Sequence, residues 1–122
     1  MKTLATLDFL IVDDDEATRA MVEKALRGAG VAKVRGAEDA VQALAIMAAQ
    51  PADVVISDLL MPGMDGLEFV AALRTAHANA RILILTGYAN MADKARAAGA
   101  DAVLLKPLAP GAFVAAVAAG LG

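Results

Sequence analysis

Phe9-Leu10-Ile11-Val12-Asp13-Asp14-Asp15-Glu16 sets four apolar residues directly against four acids. A continuous aliphatic run, unlike an alternating one, suits a parallel strand covered on both faces. The abrupt change to carboxylates puts the acids at that strand's C-terminal end. Three further runs have the same form: Val54-Val55-Ile56, Ile82-Leu83-Ile84-Leu85 and Ala102-Val103-Leu104-Leu105. A weaker run, Val31–Val34, fits a strand nearer a sheet edge.

Helical spacing fills the intervals. Glu16–Arg27 places Met21, Val22, Ala25 and Leu26 on one side and is expected to stop at Gly28 and Gly30. Ala40–Ala49 repeats the pattern with Val41, Leu44 and Ala48, Leu67–Ala76 with Leu67, Val70 and Leu73, and Ala109–Gly120 with Phe113, Val114 and Val117. Ala89–Ala98 is helical by composition but carries almost no apolar stripe. Strands alternating with helices predict an α/β fold, a doubly wound parallel sheet of five βα units. Residues 1–122 are expected to form one domain, with no linker, repeat or effector domain in this chain.

Composition agrees with that size and class. The chain has 122 residues, 59% of them apolar and 20% charged, enough to bury a core and too few charges for a disordered chain. Mean hydropathy is high at +0.60, which raises the question of a membrane span. The longest stretch without an ionisable group, Pro107–Gly122, has 16 residues with two prolines and three glycines, too short and too broken to span. The N-terminus lacks the apolar stretch of a signal peptide, and the absence of cysteine removes disulfides, thiolate metal sites and thiol nucleophiles. A cytoplasmic domain without membrane contact is expected. A net charge of −3 gives no reason to expect direct nucleic-acid binding.

In a doubly wound sheet, ligands bind at the C-terminal ends of the strands, near the point where strand order reverses. Strand one ends in Asp13 and Asp14, strand three in Ser57-Asp58, strand four in Thr86 and strand five in Lys106. With strand order 2-1-3-4-5, strands one and three are neighbours at the reversal. Asp13, Asp14 and Asp58 are therefore expected to converge on one pocket, with Thr86 and Lys106 on its rim. Two carboxylates about 4 Å apart repel by roughly 4 kcal/mol at an effective dielectric near 20, so the cluster calls for a cation. Mg²⁺ suits a shallow, all-oxygen site that keeps several waters. Lys106 and Thr86 add a mobile positive charge and a hydroxyl donor, both suited to holding a phosphoryl group. A lone Asp at a strand end is more often a helix cap, and Asp15 reads as one for the helix beginning near Glu16.

These residues sit in Ile11-Val12-Asp13-Asp14-Asp15, Ser57-Asp58-Leu59-Leu60-Met61-Pro62-Gly63-Met64-Asp65-Gly66, Leu85-Thr86-Gly87, Ala98-Gly99-Ala100 and Leu105-Lys106-Pro107. With these motifs the whole chain resembles the receiver domains of response regulators in two-component systems, including the chemotaxis regulators. The resemblance implies a flavodoxin-like (βα)5 fold. It implies that Asp58 accepts a phosphoryl group from a phosphohistidine on a histidine kinase or histidine phosphotransfer protein. It further implies direct Mg²⁺ ligation by Asp14, Asp58 and the Leu60 backbone carbonyl, with Asp13 acting largely through water. Thr86 and Lys106 would contact the phosphoryl oxygens, and the bond before Pro107 would be cis. Such a protein is a signalling switch rather than an enzyme, assisting its own phosphorylation and dephosphorylation and passing the signal to a downstream partner or effector domain. In the family, the residues two beyond the acceptor and two beyond the threonine control hydrolysis; here they are Leu60 and Tyr88.

The chain departs from the pattern twice. Relatives usually carry Tyr or Phe three residues before the lysine, where this chain has Val103. The interval from Thr86 to Lys106 is 20 residues, about two short of the usual family spacing, or roughly half a helical turn. The fourth helix is therefore expected to be shortened or remodelled.

Three other readings fit less well. A haloacid-dehalogenase-type phosphatase would need a second Asp two residues after the nucleophile, where Leu60 stands. A flavin mononucleotide binder would follow its first strand with a Ser/Thr/Gly-rich phosphate loop, not four acids. A binding-only receiver would have no need of Asp13, Asp14, Asp58, Thr86 and Lys106 together. The single histidine, His77, reads as a surface loop residue, and Met61 and Met64 read as anchors of the Pro-Gly loop between them.

Overall fold

A computed structural model describes residues 4–61, 63–107 and 109–120. Five strands, β1 (Asp8–Val12), β2 (Lys33–Ala37), β3 (Val54–Ser57), β4 (Arg81–Thr86) and β5 (Ala102–Leu105), form one parallel sheet in the order β2-β1-β3-β4-β5. Helices α1 (Glu16–Gly28), α2 (Ala40–Ala49), α3 (Gly66–Ala76), α4 (Ala92–Ala98) and α5 (Pro110–Gly120) cover its two faces. Because strand side chains alternate between faces, each apolar run feeds two cores at once. Leu10, Val12, Val55, Ile82 and Ile84 pack with Ala43, Met47, Phe69, Val70 and Leu73 on one side. Phe9, Ile11, Val54, Ile56, Leu83 and Leu85 pack with Val22, Leu26, Phe113 and Val117 on the other. None of the helices among the described residues is long and apolar enough to cross a membrane.

Three local expectations change. Val31 lies outside β2, which begins at Lys33. The physical reason is the end of α1: the Gly30 N–H donates to the Arg27 carbonyl and the Val31 N–H to the Leu26 carbonyl, with Gly30 at φ +98°. This is a Schellman closure, in which the residue after the left-handed glycine folds back onto the helix it ends. Val31 and Leu26 are both buried in the α1-side core. In α2 the buried face is Ala40, Ala43 and Met47, whereas Val41 is 66% exposed and Ala48 is also exposed. Apolar residues surround that helix, so both faces satisfy the spacing; Ala40 and Ala43 form the one with the smaller side chains. Met21 of α1 is likewise exposed rather than part of the buried stripe.

The fourth crossover is short, as the spacing predicts: a 3-10 turn at Ala89–Met91 leads into a seven-residue α4. Its two ends are held unequally. Neither Tyr88 nor Met91 makes a side-chain capping bond at the start. At the finish, the Arg74 guanidinium of α3 donates to the Gly99 carbonyl at 2.9 and 3.1 Å and to the carbonyls of Ala78 and Ala80, and it pairs with Asp101 at 2.7 Å.

Gly66 opens α3 where the backbone passes Leu59: a Cβ there would lie 2.6 Å from the Leu59 Cα. Gly66→Ala is therefore expected to cost about 3 kcal/mol, at the upper end for overpacking. Gly28→Ala, with nothing within 4 Å of its added Cβ, is expected to stabilise by about 0.5 kcal/mol. Urea unfolding of both variants checks the pair; a Gly66→Ala protein as stable as the parent would contradict the close approach.

Candidate functional site

Strand register assembles the site. Val12 pairs with Ser57, and the Asp58 N–H extends that ladder to the Val12 carbonyl at 3.1 Å, so Asp13 and Asp58 follow on adjacent strands. Thr86 pairs with Leu105, and the Lys106 N–H bonds to the Thr86 carbonyl at 2.8 Å. Long-range pairing thus brings four residues of distant sequence to one sheet edge. The Lys106 Nζ donates to Asp58 Oδ2 at 2.8 Å and to Asp13 Oδ2 at 3.3 Å. The remaining Asp58 oxygen accepts the Leu60 N–H at 3.1 Å, and the remaining Asp13 oxygen accepts the Asp15 N–H at 2.9 Å.

The electrostatics follow from this sharing. Asp13 is buried, and burial holds its carboxyl above the ordinary value; the Asp15 N–H and Lys106 oppose this without overcoming it, and Asp58 adds like-charge repulsion. For Lys106, burial works to lower the pKa, but the bond to Asp58 and the charges of Asp13 and Asp58 outweigh it. The ammonium is held above its ordinary value and stays charged. It is the counter-charge of the pair.

Asp14 is placed differently. It is exposed and lines a hollow of 560 Å³ with Leu60, Met61, Asp65 and Met91. Among the described residues, no three acid, imidazole or thiolate groups close into a metal cage. The three-carboxylate convergence expected from strand order is observed as a pair plus a neighbour: Asp13 and Asp58 share Lys106, and Asp14 is exposed. The donor set at this edge is still all oxygen: two carboxylates at the sheet end, Asp14 beside them and the backbone of the β3–α3 loop. That chemistry fits a hard cation that keeps most of its waters and takes few protein ligands.

The other expected residues fall as follows. Thr86 is fully buried rather than on a rim, and its Oγ1 accepts the Tyr88 N–H at 3.3 Å. Tyr88 and Leu60 are each about half exposed, at 52% and 54%. Val103 is partly buried against the core shared with α2, α3 and α4. Asp15 caps α1 as predicted, its Oδ1 accepting the Ala17 N–H and its Oδ2 the Thr18 hydroxyl. The Lys106–Pro107 bond is cis. Met61 and Met64 pack against the core; Pro62 between them lies outside the described residues.

One contact had no signal in the sequence. Arg19 of α1 donates from Nη1 to the Asp13 carbonyl at 2.6 Å. An arginine in an amphipathic helix reads as a solvated face, and nothing in its spacing marks it as part of the site.

Comparison with known proteins identifies the family. Residues 9–118 match the response regulator receiver domain family. A probable chemotaxis protein CheY of Rhizobium etli is 38% identical over 126 residues, spanning all of this chain and 98% of that protein. Other curated relatives are longer regulators, of which the chain spans 44% or 21%. Among solved structures, the chemotaxis response regulator CheY4 of Vibrio cholerae superposes with a TM-score of 0.87 at 35% identity, over 93% of this chain and 98% of that one. A response regulator from Burkholderia pseudomallei, described with a phosphorylated aspartic acid and a calcium ion, gives a TM-score of 0.81 at 35% identity over 90% of this chain and 65% of that one. The chain belongs to the response regulator receiver domain family of two-component systems.

Proposed function

We propose that Asp58 is the phosphoryl acceptor of a two-component phosphorelay in the cytoplasm, fed by a phosphohistidine on a histidine kinase or histidine phosphotransfer protein. The observation that carries the reading is Lys106: one ammonium bridges Asp58 and Asp13 at the reversal point of the sheet. An Asp58 oxygen attacks phosphorus, the P–N bond to the donor imidazole breaks with its electron pair left on nitrogen, and an acyl phosphate remains on Asp58. Asp14, Asp58 and the Leu60 carbonyl would hold Mg²⁺, with Asp13 acting through water. The bound ion would neutralise charge on the phosphoryl oxygens. Lys106 and the Thr86 hydroxyl are placed to meet those oxygens. The phosphorylated aspartic acid and calcium ion of the Burkholderia pseudomallei relative support the assignment.

Incubation with Mg²⁺ and acetyl phosphate is expected to add one acid-stable, base-labile phosphoryl group, which mass spectrometry would follow, and Asp58→Asn to abolish it. Labelling that persists in that variant at another site would refute the acceptor. Neither Leu60 nor Tyr88 is an acid or amide able to orient an attacking water, so the group should be lost slowly. Leu60→Asn or Tyr88→Glu should shorten its half-life.

Output follows from the unequal anchoring of α4. The new acceptors on Asp58 draw the Thr86 hydroxyl from the Tyr88 N–H, and the uncapped start of α4 moves while Arg74 holds its end. Val103 is too small and too stiff at χ1 to serve as a two-position gate. Amide exchange with and without beryllofluoride should therefore change most within Thr86–Ala98 and little around Val103. The reverse distribution would exclude this route.

A further inference from the structure

The Asp13 carbonyl belongs to the same rigid plane as the Asp14 N–H, because the peptide bond between them does not rotate freely. Whatever fixes that carbonyl also fixes the direction in which Asp14 leaves the strand. Arg19 fixes it, through the 2.6 Å bond from Nη1. The rest of Asp13 is held as well: its N–H bonds to the Ala37 carbonyl, its Oδ1 takes the Asp15 N–H and its Oδ2 takes Lys106. Only the carbonyl's hold comes from a side chain outside the acidic turn and the phosphoryl machinery.

The path of that side chain is built into β2. Gly36 pairs with Ile11 in the sheet, and a Cβ on it would meet the Arg19 Cδ at 3.7 Å and Nε at 3.8 Å. Glycine inside a strand weakens it and commonly marks the close passage of another group. Here the group is the arginine stem, which crosses Gly36 on its way to the strand end. A Cβ alone would make ordinary van der Waals contact with the stem, and the γ-carbons of a branched side chain would reach beyond it into the space the stem occupies.

We infer that Arg19 is a positioning residue for the cation site, presenting Asp14 beside Asp58 by holding the Asp13–Asp14 peptide plane. The inference rests on the proposed role of Asp14 as a Mg²⁺ ligand. It also has a sign that distinguishes it from simple electrostatics. A guanidinium near an acidic pocket repels a divalent cation, so if charge alone mattered, removing it would tighten Mg²⁺ binding. Removing a positioning residue weakens binding instead.

The test is a MgCl2 titration of the ¹⁵N-labelled protein, following the backbone amides of Asp58, Leu59 and Leu60, which reports affinity for the folded molecules whatever their stability. Arg19→Gln and Gly36→Val are each expected to weaken Mg²⁺ binding about tenfold, the low end for partners that orient a metal ligand. Gly36→Val does so with the arginine charge intact, and valine suits an edge strand, so that variant carries the test if Arg19→Gln fails to fold. Arg19→Lys, which keeps one charged donor, should remain close to the parent. Binding by Arg19→Gln or Gly36→Val as tight as the parent's, with only a lowered melting temperature, would overturn the inference and leave Arg19 a structural contact. A parent protein that gives no saturable Mg²⁺ shift would overturn the metal reading of the site, and this inference with it.

Discussion

The shared ammonium of Lys106, 2.8 Å from Asp58 and 3.3 Å from Asp13, is the contact on which the rest of the site depends. Parallel register forces two carboxylates to the same sheet edge, one from each of the adjacent strands β1 and β3. Their repulsion would be costly in a half-buried setting without a cation. Lys106 meets that need from β5, two strands away from β3, and the sheet must hold its full width for the lysine to reach. Fold and site are therefore one arrangement. The continuous aliphatic runs that bury both sheet faces also deliver the acids and the lysine to one place.

Much of this was legible in the sequence because the informative groups are at element ends. Four strands appear as unbroken aliphatic runs, and the residue after each run is polar; strand order then places Asp13, Asp58, Thr86 and Lys106 together. What periodicity could not supply was choice between equivalent faces. In α2 the set Ala40, Ala43 and Met47 and the set Val41, Leu44 and Ala48 have the same spacing. Nor could it show that Val31 serves the end of α1 before β2 begins, since a Schellman closure and a strand start both favour a buried β-branched residue. Arg19 was invisible for a further reason: its contact with the site is a bond to a backbone carbonyl, and backbone partners leave no trace in residue identity.

The fourth crossover shows how a departure from the family pattern becomes a physical property. Its shortness leaves a seven-residue α4, too brief to be held by its own backbone bonds and dependent on its neighbours. Met91 packs against the core at the start of α4, but among the described residues the side-chain hydrogen bonds that hold the segment are at its end. Arg74 gathers the carbonyls of Ala78, Ala80 and Gly99 and the carboxylate of Asp101, while the residues that follow Thr86 are exposed and uncapped. In the proposed switch, a segment capped at one end and uncapped at the other, with the uncapped end joined to Thr86, would convert a local hydrogen-bond change into a directed movement.

In the proposed switch Lys106 turns to the phosphoryl oxygens when the group arrives on Asp58, and in doing so its ammonium gives up the longer of its two bonds, the one to Asp13. A crystal structure of the protein with Mg²⁺ and beryllofluoride tests this directly. The expected result is Lys106 Nζ within hydrogen-bonding distance of a fluorine on the Asp58 adduct and beyond 4 Å from Asp13 Oδ2, a loss of contact that would be read against the present 3.3 Å. An adduct formed on Asp58 with Lys106 still bonded to Asp13 would contradict it.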